Sequence, residues 1–127
     1  MKIEREAAES RNLFTAYGDG WVEVAGRRIS GSLAVAAGRL VEGWAAGGIG
    51  TLTETETATL LDLDPEIVLL GSGAKFRFPD PAALAPLFRA GVGVEVMDTK
   101  AACRTYNILL AEGRRVVAAL VVSDTGA

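Results

Sequence analysis

The run Val116-Val117-Ala118-Ala119-Leu120-Val121-Val122 constrains this chain more than any other feature. A continuous apolar stretch of this length, entered from Arg115, reads as a strand covered on both faces, so it must be central in a sheet. Ile67-Val68-Leu69-Leu70 is a second such run, ended by Gly71-Ser72-Gly73. Between the two lie the marks of helices. Asp80-Pro81 offers an N-cap followed by proline at the first helical position. Leu84, Leu87 and Phe88 then share a face, Pro86 should kink or restart the helix, and Gly91 ends it. Val92 to Met97 is the next strand, and Asp98 or Thr99 caps a long helix to about Glu112. From Asp64 onward the order is β-α-β-α-β, which calls for a sheet with helices packed on it.

The first third has a different grain. Leu13 to Tyr17 reads as a strand, Gly18-Asp19-Gly20 as a turn, and Trp21-Val22-Glu23-Val24 as an alternating strand. Ala25-Gly26-Arg27 makes another tight turn before Arg28 to Val35, and a further strand follows Gly38 through Trp44. These segments read as a β-meander closed by glycines. Thr53 and Glu56 fit a capping box that opens a short helix over 54–61. Residues 1–11 are charged, show no sustained apolar face, and read as a frayed arm or short helix.

The chain has 127 residues, half of them apolar, which suits one domain over 1–127. A net charge of −3 and a pI near 5.0 argue against nucleic-acid binding and against a polybasic membrane surface. No stretch is long and apolar enough for a membrane span. The start, Met1 to Glu6, is too charged for a signal peptide, and a lone Cys103 suits a reducing compartment, so cytoplasm is the expected location. The chain has no histidine. That removes the Ser-His-Asp and Cys-His relays, and with one cysteine it removes the usual tetrahedral zinc sites. No cofactor or metal is expected, no residue is assigned a catalytic role, and an enzyme using a carboxylate or lysine base has the least support.

If a site exists, it belongs beyond the carboxyl ends of the strands, where open α/β sheets bind ligands. Two such ends are Gly71-Ser72-Gly73-Ala74-Lys75 and Met97-Asp98-Thr99-Lys100. The glycines would let backbone N–H groups approach an anion, with Lys75, Arg77, Lys100 and Arg104 adding charge. The first segment is neither a Walker A loop nor GxGxxG, and a plain strand-ending turn is its simpler reading. On the helix, Ala102, Tyr106, Leu109 and Gly113 form a stripe facing the core, whereas Lys100, Arg104, Asn107 and Ala111 form a polar one. Cations near a helix start oppose the dipole. Asp98, Glu95, a bound anion or a partner's carboxylate should therefore compensate Lys100 and Arg104. Cys103 reads as a small buried apolar residue, and Tyr106 as a packed aromatic with its hydroxyl satisfied. Trp21 and Trp44 are core or interface anchors.

Met97-Asp98-Thr99, Ala101 to Asn107, Leu109-Leu110, Glu112 to Val116 and Ala118 to Leu120 together resemble the signature of one small-domain family. It includes the mitochondrial respiratory complex I assembly factor 3 and the adipogenesis-associated domain proteins, with many uncharacterised bacterial and archaeal members. Pro65 to Gly73, Tyr17-Gly18, Arg28 to Ser32 and Trp44 extend the likeness over nearly all the chain beyond its first dozen residues. Ser72 stands where members often carry threonine. The resemblance implies a three-layer α/β fold: a mixed central sheet flanked by helices, with the N-terminal antiparallel β-meander packed alongside. It implies no established reaction. With no transit-peptide pattern at its start, the chain reads as a bacterial stand-alone protein.

Two functions are weighed. The first is a non-catalytic protein-binding or assembly module with an unidentified protein partner, a homodimer being left open. An exposed tryptophan or a large apolar patch would favour it. The second is a binder of a small anion, phosphate or carboxylate, at Gly71, Ser72, Gly73, Lys75, Arg77, Asp98, Thr99, Lys100 and Arg104.

Overall fold

A computed structural model describes residues 11–122. Five strands come first: β1 (Phe14–Gly18), β2 (Trp21–Val24), β3 (Arg27–Ile29), β4 (Leu33–Val35) and β5 (Leu40–Glu42). The helix α1 (Glu54–Thr59) precedes β6 (Ile67–Gly71), and α2 (Ala85–Arg89) precedes β7 (Gly93–Met97). The long helix α3 (Thr99–Ala111) leads into β8 (Val116–Leu120). The expected arm or helix over 1–11 lies, apart from Arg11, outside the described residues.

Every residue of β8 is buried, and the strand sits in the middle of the larger sheet, whose order is β5-β4-β8-β6-β7. β6 is parallel to both β8 and β7, while β4 is antiparallel to β8. Its two faces are covered separately. On one, Val68, Leu70, Val117 and Ala119 pack against Leu60, Leu84 and Leu87 from the α1–α2 side. On the other, Leu69, Ala118 and Leu120 meet Ala102, Cys103 and Tyr106 of α3, together with Phe14, Val22 and Ile29 of the small sheet. The mixed sheet is thus the middle of three layers.

The antiparallel meander is shorter than the sequence reading had it. Only β1, β2 and β3 form the separate sheet, in that order. The segment read as one strand over 28–35 divides at Ser30-Gly31-Ser32. The reason is burial: β2 alternates half-buried and buried residues, as a strand with one covered face does. Leu33, Ala34 and Val35 are all buried and need cover on both faces, which the central sheet supplies.

Local signals hold α1 in place. Thr53 Oγ1 accepts from the Glu56 N–H at 3.1 Å, and Glu56 Oε1 accepts from the Thr53 N–H at 3.0 Å, completing the capping box. The α-helix stops at Thr59 rather than Leu61 and tightens into a 3-10 turn over Leu60–Leu63. Trp44 is a core residue, its indole N–H donating to Glu56 O at 2.9 Å. Pro86 restarts a helix as expected: a 3-10 turn over Pro81–Leu84 gives way to α2, with Pro86 in its first turn, where no N–H is needed. One assignment on this helix is corrected. Leu84 and Leu87 are buried, but Phe88 is exposed.

Candidate functional site

β6 is flanked by β7 on one side and β8 on the other, and the crossovers α2 and α3 lie on opposite faces. The carboxyl ends of β6 and β7, whose following helices leave to opposite faces, are therefore the point where such sheets open a ligand crevice. Here Gly71, Ser72, Gly73 and Thr99 do come together, and their polar groups bond to one another. Thr99 Oγ1 accepts from the Gly73 N–H at 2.9 Å and donates to Val121 O at 2.7 Å. The Thr99 N–H donates back to Gly73 O, the Ser72 N–H donates to Met97 O, and the Val121 N–H donates to Gly71 O, each at 2.9 Å. A Cβ on Gly71 would lie 2.7 Å from Leu120 Cδ2 and 3.1 Å from Thr99 Cα, so glycine is what lets α3 start so close to the sheet. The crevice left beside Thr99 and Lys100 has a volume of about 20 Å³, room for about one water.

Ser72 is buried and its hydroxyl is committed, donating to Lys75 O at 2.7 Å and accepting from the Arg77 N–H at 3.0 Å. It braces the loop that carries Lys75 and Arg77, both exposed. Arg77 extends over Gly50, its guanidinium 3.4 Å from where a Cβ would stand. Asp98 is the N-cap of α3 and accepts from the Ala101 N–H at 2.9 Å.

The polar face of α3 is occupied by the small sheet. Lys100 Nζ pairs with Asp19 Oδ1 at 2.8 Å, and Arg104 donates to the Tyr17 hydroxyl at 3.3 Å. Of the compensating groups expected (Asp98, Glu95, a bound anion or a partner's carboxylate), Asp98 does add a favourable charge to both Lys100 and Arg104, but the direct pair of Lys100 is Asp19, from the β1–β2 turn, which was not among them. Its hydrogen bond with Lys100 lowers the Asp19 pKa and raises that of Lys100. One turn on, the Asn107 amide acts as an extra strand partner. Its Nδ2 donates to Phe14 O at 2.8 Å and its Oδ1 accepts from the Phe14 N–H at 3.0 Å. Tyr106 packs edge-on to Phe14, with ring centroids 5.1 Å apart, and its hydroxyl donates to Asn12 O at 2.8 Å. The core stripe of α3 is Thr99, Ala102, Cys103, Tyr106 and Leu110. Leu109 is only partly buried and Gly113 is exposed, a correction to the predicted stripe. Burial pushes the Cys103 thiol pKa up to about 12, the reverse of an activated thiolate.

Neither tryptophan is an exposed anchor. Trp21 is half-buried, closing over Gly18, with the Arg28 guanidinium 3.8 Å above its ring. The exposed aromatics are ones the sequence reading did not select: Phe76 (54 %), Phe78 (71 %) and Phe88 (56 %). Phe76 and Phe78 stack edge-to-face at 4.8 Å. Phe78 and Phe88 flank a largely apolar groove of about 400 Å³ with Pro79, Pro81 and Leu84, completed by Val94, Glu95 and Val96 of β7. The available signal was Lys75-Phe76-Arg77-Phe78-Pro79, aromatics placed in a loop that belongs to no helix or strand. A second cavity, of about 320 Å³, lies near the start of β8 and is lined by Arg11, Arg39, Arg114 and Arg115 with Asp62 and Asp64. Its arginines are engaged with carboxylates or carbonyls of the chain.

Residues 14–121 match the family described as a protein of unknown function, DUF498/DUF598. The chain belongs to this family. Among its relatives is the NADH dehydrogenase (ubiquinone) 1 alpha subcomplex assembly factor 3 of Bos taurus, 33% identical over 126 residues. That alignment covers 98% of this chain and 67% of the bovine protein. A crystal structure of a Bordetella parapertussis protein matches with a TM-score of 0.83 at 43% identity, covering 90% of this chain and 98% of the other. A solution structure of a Bordetella pertussis protein, described as a Mth938-like domain, matches at 0.69 and 37% identity, covering 91% and 87%. The resemblance first seen in the α3 segment is therefore correct, and the DUF498/DUF598 fold gives it a physical content. Tyr106 and Asn107 fasten α3 to the start of β1. Among the described residues of this DUF498/DUF598 member, no helix is long and apolar enough to cross a membrane.

Proposed function

We propose that the chain is a non-catalytic protein-binding module of the assembly kind, and that its working surface is the Phe76, Phe78 and Phe88 patch beside β7. The patch carries the reading. Three phenylalanines more than half exposed, two of them flanking one groove and the third stacked on Phe78, are an expensive arrangement in water, and contiguous apolar surface of this sort marks interaction sites. The assembly-factor name of the bovine relative supports the same reading, on about two thirds of that protein's length. A lone buried Cys103 suits a reducing compartment, for which we infer the cytoplasm.

The competing reading is a small anion gathered by residues 71–73 and 98–104 with Lys75 and Arg77. It has four cations in its favour, but it would have to displace the bonds of the Ser72 and Gly73 N–H groups and the Lys100–Asp19 pair. Two variants of the tagged full chain separate the readings in capture from cell extract. Phe78→Ser with Phe88→Ser should abolish capture while leaving stability within about 0.5 kcal/mol, since exposed substitutions rarely cost more. Lys100→Ala with Arg104→Ala should leave capture intact. The opposite pattern, with phosphate or carboxylate raising the melting temperature, would favour the anion.

A further inference from the structure

We propose that the open edge of β7 takes up an extended segment of a protein partner as a sixth strand of the central sheet, and that this segment carries an apolar–basic–apolar triplet. The inference rests on the protein-binding reading above and gives it a geometry.

Among the described residues, β7 is an end strand, paired only with β6. The Gly93 N–H donates to Glu66 O, and Met97 O accepts from the Ser72 N–H. In a parallel pair each residue turns both backbone groups the same way, alternating along the strand. Gly93, Glu95 and Met97 therefore face β6, and Val94 and Val96 turn their N–H and C=O groups outward. These are two donors and two acceptors in a row, the template that strand addition uses.

Side chains add selectivity. Val94 and Val96 point to the α2 face and floor the groove that Phe78 and Phe88 flank. Residues of an added strand opposite them would enter that groove, so they should be apolar. Glu95 is exposed and also borders the groove, but alternation along the strand turns its side chain away from Val94 and Val96, and among the described residues it makes no salt bridge. The residue opposite it lies between the two apolar ones and should be lysine or arginine.

The same carboxylate argues against a second copy. The symmetric antiparallel register that uses both open residues pairs Val94 with Val96 of the other copy, which sets Glu95 directly opposite Glu95. Like charges in that position are destabilising. A bilayer fits no better, because hydrocarbon cannot satisfy the edge N–H and C=O groups.

The test is an NMR titration of the ¹⁵N-labelled full chain with an acetylated peptide, Thr-Val-Thr-Val-Lys-Val-Thr-Val-Thr, and with the same peptide carrying Glu at its centre. We expect the Val94 and Val96 amides to shift and their hydrogen exchange to slow. The lysine peptide should bind about two- to fivefold more tightly than the glutamate one, the scale of one cross-strand charge pair. Glu95→Lys should invert that order. Val94→Pro should abolish strand addition with the β6 ladder intact, because the donor it removes faces outward. Equal binding of the two peptides, or no binding up to about 1 mM, would overturn the proposal. So would wild-type dimerisation through β7 in sedimentation, or recruitment to phosphatidylcholine–phosphatidylglycerol vesicles that depends on Phe78. If the peptide perturbs the Phe78 and Phe88 rings but leaves Val94 and Val96 exchange unchanged, strand addition fails and the binding-module reading stands. If capture survives Phe78→Ser with Phe88→Ser, the module reading itself fails.

Discussion

Cys103 is wholly buried between α3 and the sheet, and its chemistry follows from that position. Its thiol pKa is raised from 9.0 to about 12, chiefly by burial, with the Arg104 charge opposing only in part. In the unfolded chain it ionises near its ordinary value. The fold's stability is therefore undiminished by this residue below pH 9 and falls as the pH climbs from 9 toward 12, on the order of 1.4 kcal/mol per unit. Tyr106, also raised by burial, adds its own loss at the upper end. Urea titrations across this window should show a shallower alkaline decline for Cys103→Ala than for the wild type. Equal slopes would mean that the thiol is not held neutral. The burial of Cys103 was legible from its place in the helix. The exposure of Phe88 was not. A regular 3.6-residue period puts Phe88 beside Leu84, and both do line one groove, but that groove is left uncovered at Phe88, and nothing at residue 88 itself signals this.

Between elements, the attachment of α3 to β1 decides whether the small sheet stays in place. Asn107 supplies both a donor and an acceptor to the backbone of Phe14, and Asn107→Ala leaves that N–H and C=O without partners in a half-buried seam. Losing the pair should cost about 2 kcal/mol, measured by urea unfolding, with faster amide exchange at Phe14 as the local sign. A loss below about 0.5 kcal/mol would show that water replaces the amide freely. Sequence patterning delivered the strands with continuous apolar runs, β6 and β8, and the capped helices α1 and α3, because those signals are local. The departure of the chain from the small sheet at Ser30-Gly31-Ser32 has no local signature. Which sheet β4 joins is settled by β8, more than eighty positions later. The same distance hid the role of Asn107, which reads as one more residue on a polar stripe until Phe14 is placed against it.

At the scale of the molecule, the two ends of the candidate list fared differently. The predicted anion-binding residues gather partly: Gly71, Ser72, Gly73 and Thr99 form one knot of hydrogen bonds, Lys100 and Arg104 turn to the small sheet, and Lys75 and Arg77 stand out on their loop. Among the described residues, exposed aromatic surface gathers elsewhere, at the end of the central sheet, where β7 is the last strand and Phe78 and Phe88 flank its groove. Sequence could not find it, because it exists only once the strand order leaves β7 last. We propose this surface as the seat of a polypeptide partner. Hydrogen–deuterium exchange of the full chain, alone and with its captured partner bound, tests it most directly. Exchange should slow over residues 76–78 and 88–97, with the Val94 and Val96 amides among the most protected and 99–104 unchanged. Protection confined to 71–73 and 99–104, with β7 exchanging as freely as in the unbound chain, would contradict it.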